Sequence, residues 1–253
     1  MALRSQLAAT YAPSTANRIL TAVRSVLKEC WELGYLSSED QRRACAVPPI
    51  RGQRLPKGRM LSPDELGRLF RACAQDPSPA GRRDAAMLGI LCGAGPRRSE
   101  LVTLDLADYD PVSGALTVRQ GKGNKDRRLF PAPGATQALR EWLAVRGELA
   151  SPLFVPISKR GRLLARRLTD KAVTWVLSVR ATQAGVAAFS PHDLRRTFIS
   201  TLLDAGADLA TVADLAGHAN IATTARYDRR GEAAQRKAAA LLRIPFVPMA
   251  RAS

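Results

Sequence analysis

The chain is poor in the residues that build metal and disulfide sites. Its four cysteines, Cys30, Cys45, Cys73 and Cys92, are scattered without a CxxC pair, and histidine occurs only twice. That excludes a disulfide framework and the usual zinc spacings, and it reads the thiols as reduced. There is no P-loop and no cluster of carboxylates, so neither ATP nor a divalent metal is expected as a cofactor. Apolar runs stop short of the length that spans a bilayer, no lipidation motif occurs, and the opening MALRSQLAATYAPST lacks the apolar core of a signal peptide. The expectation is a cytoplasmic, nucleoid-associated protein.

Negative charge is the other shortage. Asp and Glu number 22 against 39 Lys and Arg, and the resulting charge of +17 is spread along the chain rather than gathered at one end. Such an excess calls for a polyanionic partner. An anionic membrane surface competes with nucleic acid for that place, but no basic amphipathic segment with aromatic anchors is present. Nucleic acid is therefore the expected partner. With 253 residues, 46% of them hydrophobic, the chain can bury a core in one large domain, alone or with a small appendage.

The pattern of apolar residues is mainly helical. In STANRILTAVRSVLKECWELGYLS, Ile19, Val23, Val26, Leu27, Cys30 and Trp31 share one face, Ser14 or Thr15 serves as cap, and Gly34 ends the helix. The stretch PPIRGQRLPKGR has no periodicity. It reads as a basic linker over 51–60, with Arg51, Arg54, Lys57 and Arg59 either along a phosphate backbone or simply solvated. The SPDELGRLFRAC segment starts a helix with Ser62 as cap, Pro63 at the first position and Glu65 closing a capping box. RDAAMLGILCGAG reads as a buried helix, and GPRRSEL as a new start with Pro96 in the first position and Arg97 in the first turn. Residues 103–131 alternate around DPVSG and GKGNKD and predict a small antiparallel sheet of two or three strands. Four further helices follow, in TDKAVTWVLSVRATQAG, SPHDLRRTFISTLLDAG, DLATVADLAG and IATTARYDRRGEAAQRKAAALL. The fold class is mainly α with a small antiparallel β-sheet.

Both histidines sit beside residues suited to phosphate chemistry. Breaking a phosphodiester without metal needs a nucleophile, donors matched to the oxygens of a pentavalent transition state, and an acid for the leaving oxygen. Arg195 follows His192 by three residues, which sets both on one helical face, and an arginine fork matches phosphate oxygens bidentately. His218 follows a helix-closing glycine, and Tyr227 comes nine residues later on the next expected helix. A phenol with a pKa of about 10 needs a base or dense positive charge to act at neutral pH.

Four motifs stand in order along the chain: GAGPRRSEL, GKGNKDR, HDLRRTF and LAGHANIATTARY. Each alone is weak; together they resemble the tyrosine recombinases of the phage-integrase family over about residues 60–230. That family carries an Arg in a TGLRxSEL-like stretch, a Lys on a β-hairpin, an H-x-x-R at a helix start, and LGH followed nine residues later by the nucleophilic Tyr. The resemblance implies a catalytic domain over 61–253 and a shortened helical core-binding segment over 1–50, matching only the final part of the family's usual N-terminal domain. Pro96 and Arg98 replace the family's apolar neighbours of Arg97.

By this resemblance, Tyr227 forms a 3′-phosphotyrosine and frees a 5′-hydroxyl. Arg97 and Arg195 clamp the non-bridging oxygens, His218 adds a hydrogen bond, His192 handles the tyrosine proton and Lys122 protonates the leaving oxygen. Lys125, in the same turn, is the alternative acid. Lys125, Arg196 and Arg226 otherwise read as phosphate contacts or solvated charges, and Glu100 as orienting an arginine or capping the helix. The implied partners are double-stranded DNA at a specific recombination site, further copies of the chain in a dimer to tetramer on DNA, and accessory proteins. The implied reaction is site-specific recombination through a Holliday junction. The alternatives are type IB topoisomerase-like relaxation and a non-catalytic DNA-binding regulator. The apolar stretch AAALLRIPFVP docks either in cis or on a neighbouring protomer.

Overall fold

The computed structural model describes residues 2–52, 58–121, 125–148, 151–228, 231, 232, 236, 239–242 and 245, with Gln120 and Lys125 described by backbone alone. Arg54, Lys57 and Lys122 therefore lie outside the described residues. The chain divides into two compact units, 1–57 and 58–253.

The first unit is helical: α1 (Ala2–Thr10), α2 (Pro13–Glu32) and α3 (Ser38–Cys45). α2 begins with Pro13 after an extended Ala12, ahead of the expected Ser14 or Thr15 cap, because proline presets φ and has no N–H to satisfy. Its buried face is centred on Ala16 and Leu20, which meet Leu7 and Ile50. Ile19 packs at the edge of this cluster, whereas Val26 and Trp31, expected on the packed face, are 61% and 40% exposed. Asn17 closes the unit by donating to Ile50 O and accepting from Ile50 N–H at 2.9 and 2.8 Å. α3 has no apolar stripe and rests on its cap, the Ser37 hydroxyl accepting from Asp40 N–H. Arg51 is exposed.

The second unit opens with α4 (Pro63–Ala74), whose Ser62–Glu65 capping box forms as the sequence implies. α5 (Pro79–Gly93) is buried nearly all round, with Ala86, Met87, Leu88, Ile90 and Leu91 in the core. It is followed by α6 (Arg98–Thr103), a 3-10 turn at Leu106–Asp108, β1 (Leu116–Gly121), β2 (Lys125–Leu129) and α7 (Pro133–Arg146). β1 and β2 pair antiparallel, Leu116 opposite Leu129 and Val118 opposite Arg127. The third strand shrinks to an isolated bridge between Tyr109 and Leu116.

α7 packs on α5 and seats Trp142, fully buried, with its indole N–H donating to Leu153 O at 2.9 Å. Burial of each such side chain contributes roughly 1.5–3 kcal/mol. Charge also enters this core: Asp84 accepts from Arg83 at 2.7 Å and from Arg180 at 2.8 Å, and Arg180 also reaches Asp76 at 2.6 Å. α8 (Asp170–Gln183), α9 (Pro191–Asp204), α10 (Leu209–Ala216) and α11 (Ile221–Ala225) complete the unit. No described helix is long and apolar enough to cross a membrane.

Two expected boundaries move. Arg97 is not in the first turn of α6 but is the extended residue before it (φ −71°, ψ 152°), because the Glu100 carboxylate accepts its backbone N–H at 2.6 Å. The helix expected to run through Tyr227 stops at Ala225, and Tyr227 stands in the following turn, its N–H donating to Thr224 O. Two consecutive β-branched threonines before that point weaken the helix, and the side chain of Thr224 is bound elsewhere.

Candidate active site

Two glycines shape the cradle. Gly95 has φ +63°, and a Cβ there would fall 2.3 Å from the Phe198 ring; Gly217 has φ +64°, and a Cβ there would meet Arg127 Nε at 2.2 Å. Only glycine holds these left-handed turns with neighbours so close. The carbonyls of Gly95 and Ala216 both accept from the guanidinium of Arg195, which is 3% exposed. Burial first, and then Arg97, pushes the Arg195 pKa down to about 10.

Arg97 approaches from the other side. Its Nη1 donates to Glu100 Oε1 at 2.7 Å and its Nη2 to Gly217 O at 2.9 Å. Glu100, buried, thus holds Arg97 by backbone and side chain at once, and it also accepts from Arg127 Nη2 at 2.9 Å. It caps the helix and orients an arginine together. Arg97 and Arg195 line a cavity of about 390 Å³ with His192, Ser190, Ser99 and Arg98.

Tyr227 packs against the cluster of Phe198, Ile199, Leu203, Val212 and Ala216. Its hydroxyl lies 3.3 Å from His192 Nε2. Burial, reinforced by Arg196 and Arg195, holds the His192 pKa below that of a free imidazole. His218 stacks on the Tyr227 ring, with centroids 6.2 Å apart at 17°. Its Nδ1 pairs with the buried Thr224 hydroxyl at 2.8 Å, and burial with Arg195 and Arg97 pushes its pKa down to about 4.

The structure thus brings together Arg97, His192, Arg195, His218 and Tyr227. Of the two readings of Arg196, the solvated charge is corrected: it is 4% exposed, with its guanidinium 5.3 Å from the Tyr227 ring centroid. Arg59 is committed within the fold, pairing with Glu65 at 2.8 Å and donating to Ala187 O at 2.6 Å. Arg226 is exposed. Thr224 and Arg127 went unread in the sequence; Arg127 lay at the end of the GKGNKDR motif, but nothing in the motif shows that its side chain turns inward.

A tyrosine hydroxyl set against one histidine, beside a second histidine and two anchored arginines, defines an enzyme of phosphate transesterification. The phage integrase family model matches residues 59–233. Tyrosine recombinase XerC of Azotobacter vinelandii is 39% identical over 237 residues, covering 89% of this chain and 74% of that protein. Among solved structures, XerH site-specific recombinase bound to palindromic difH substrate in a post-cleavage complex is 25% identical with a TM-score of 0.58, over 74% of this chain and 54% of that one. A lambda integrase (75–356) dimer bound to a COC′ core site is 17% identical with a TM-score of 0.61, over 87% of this chain and 75% of that one. The chain belongs to the phage integrase family of tyrosine recombinases, enzymes that cleave and rejoin DNA. These matches favour neither a type IB topoisomerase nor a non-catalytic regulator.

Proposed function

We propose that the protein is a site-specific DNA recombinase in which Tyr227 is the nucleophile. The observation that carries the assignment is the Tyr227 hydroxyl at 3.3 Å from Nε2 of His192, a histidine that lines one cavity with Arg97 and Arg195. His192 takes the phenol proton as the oxygen attacks the scissile phosphorus. The 5′-oxygen leaves with a proton, and a 3′-phosphotyrosine remains. Lys122 is the acid in this reading, with Lys125 the alternative. Because the phosphotyrosine keeps the ester bond energy, attack by a second 5′-hydroxyl restores the backbone without ATP.

Arg97 and Arg195 clamp the non-bridging oxygens, with guanidinium forks fixed before the substrate arrives. A neutral His218 whose Nδ1 accepts from the Thr224 hydroxyl carries its proton on Nε2, so that nitrogen donates to the same oxygens. Arg196 lies over the Tyr227 ring and favours the phenolate. Arg226 and Lys125 contact flanking phosphates. Unit 1–57 supplies a helical core-binding segment, and Arg51, Arg54 and Lys57 in the linker follow the backbone of double-stranded DNA; Arg59, held by Glu65, fixes the linker's end. The relatives solved on DNA, one of them a dimer, support an assembly of several copies on one site. Nucleoid association would follow from such binding.

The test is covalent trapping. Wild type and Tyr227→Phe are incubated without metal or ATP on nicked duplexes drawn from the DNA flanking the gene. A denaturant-resistant, protease-sensitive adduct in wild type alone is expected. An adduct in both, or in neither on DNA that both bind, would overturn the assignment.

A further inference from the structure

Arg127 is not among the residues that line the cavity, yet it touches the group that holds Arg97 there. It stands on β2 opposite Val118, and its guanidinium lies against Gly217. Nη2 donates to Glu100 Oε2 at 2.9 Å, the oxygen that also accepts the Arg97 backbone N–H. Nε and Nη1 are buried and have no hydrogen-bond partner among the described residues. Burial, with Arg97 adding repulsion, holds its pKa below the ordinary arginine value.

For stability alone this is a poor choice. Two dry donors and a desolvated cation cost the fold something that an apolar side chain on β2 would avoid. The gain is at Glu100. That carboxylate fixes Arg97, but a bare carboxylate would also cancel the charge that Arg97 offers to a phosphate. A second guanidinium behind it neutralises Glu100 and leaves the positive charge of Arg97 uncompensated toward the cavity. The same side chain fills the space under Gly217, whose carbonyl holds Arg97 Nη2.

We propose that Arg127 is a positioning residue for Arg97, acting through Glu100 and the Gly217 turn to keep the phosphate clamp both oriented and cationic. The inference rests on the proposed function above and extends it to a residue that touches no substrate.

The experiment follows single-turnover cleavage by wild type, Arg127→Met and Arg127→Lys on three duplexes. One carries the native phosphate, and one a methylphosphonate whose missing non-bridging oxygen removes the negative charge. The third has a sulfur at the 5′-bridging position, a leaving group that needs no acid. Arg127→Met should cleave the native phosphate about 10- to 100-fold more slowly, the range for residues that orient a functional group from behind. DNA affinity and melting temperature should stay close to wild type, and Arg127→Lys should recover part of the rate. The deficit should shrink on the methylphosphonate and persist on the sulfur substrate. In an Arg97→Ala background, Arg127→Met should add little further loss.

Equal deficits on all three duplexes, rescue by sulfur instead, or full additivity with Arg97→Ala would overturn the proposal. If wild type cleaves and Arg127→Met cleaves equally fast, the inference alone falls. If wild type forms no Tyr227 adduct, the function and the inference fall together.

Discussion

Tyr227 Oη and His192 Nε2 face each other at 3.3 Å across the gap between α9 and the turn after α11, 35 residues apart in sequence. The imidazole can accept the phenol proton only when it is neutral. Its pKa is lowered by burial and by Arg196 and Arg195, so the neutral form dominates above the ordinary histidine value of about 6.5. Cleavage should therefore rise with pH through a limb lying below that value and stay flat at neutrality. His192→Gln should remove the limb and slow cleavage roughly 100-fold or more, the lower range for loss of a general base. Single-turnover rates between about pH 4.5 and 8 check this; an unchanged limb in His192→Gln would assign it elsewhere.

The residues that the structure gathers around Tyr227 carry signals legible in the sequence: a capped helix start for His192 and Arg195, a helix-closing glycine before His218, and for Tyr227 the offset that the family resemblance supplies. The helices with clear caps, above all the one opened by Ser62 and Glu65, were equally legible. What escaped depends on contacts between distant segments. The helix around Tyr227 was read too long because Thr224 spends its hydroxyl on His218 rather than on its own helix. The sequence leaves Arg196 as a phosphate contact or a solvated charge, because nothing local shows that it lies against the Tyr227 ring. Arg127 looks like one more basic residue until Glu100, 27 residues upstream, comes beside it.

Thr224 gives a second expectation. Its buried hydroxyl is the partner of His218 Nδ1, so Thr224→Val leaves that nitrogen dry and frees the ring to rotate or change tautomer. The loss in stability should be about 1–3 kcal/mol, and cleavage should drop about tenfold or more, as when a group orienting a functional histidine is removed. Thr224→Ser restores the hydroxyl and should recover most of both. A Val variant that melts early but cleaves normally would limit Thr224 to packing.

Asp84 separates stability from chemistry. It is 5% exposed and accepts from Arg83 and Arg180, neither of which belongs to the candidate site. Asp84→Ala takes the carboxylate from buried Arg83 and leaves Arg180 with Asp76 as its ion-pair partner, and should cost about 3–5 kcal/mol. At about 2–4 °C per kcal/mol for a unit of this size, thermal unfolding should begin far earlier. At a temperature where the variant is still folded, its cleavage rate per folded molecule should match wild type.

Gly95→Ala should behave differently, because the strain falls on a carbonyl that anchors Arg195. The position has φ +63°, and the new methyl would meet the Phe198 ring at 2.3 Å. A non-glycine residue in this region costs about 1–3 kcal/mol even in open space, and the contact with Phe198 adds to that, so the variant should melt lower than wild type. Relief requires the turn or α9 to move, and either motion displaces the Gly95 carbonyl from Arg195 Nη1. Arg195 is then held by Ala216 O alone, its fork no longer fixed at both ends. Cleavage per folded molecule should fall by at least tenfold, since displacing a preorganised donor toward a transition state costs about that or more. The pair of variants thus makes opposite demands on one assay: both lose stability, but Asp84→Ala keeps its rate per folded molecule and Gly95→Ala loses it. A Gly95→Ala enzyme with normal turnover would mean that the carbonyl anchor is dispensable and that Arg195 finds its place only when phosphate arrives.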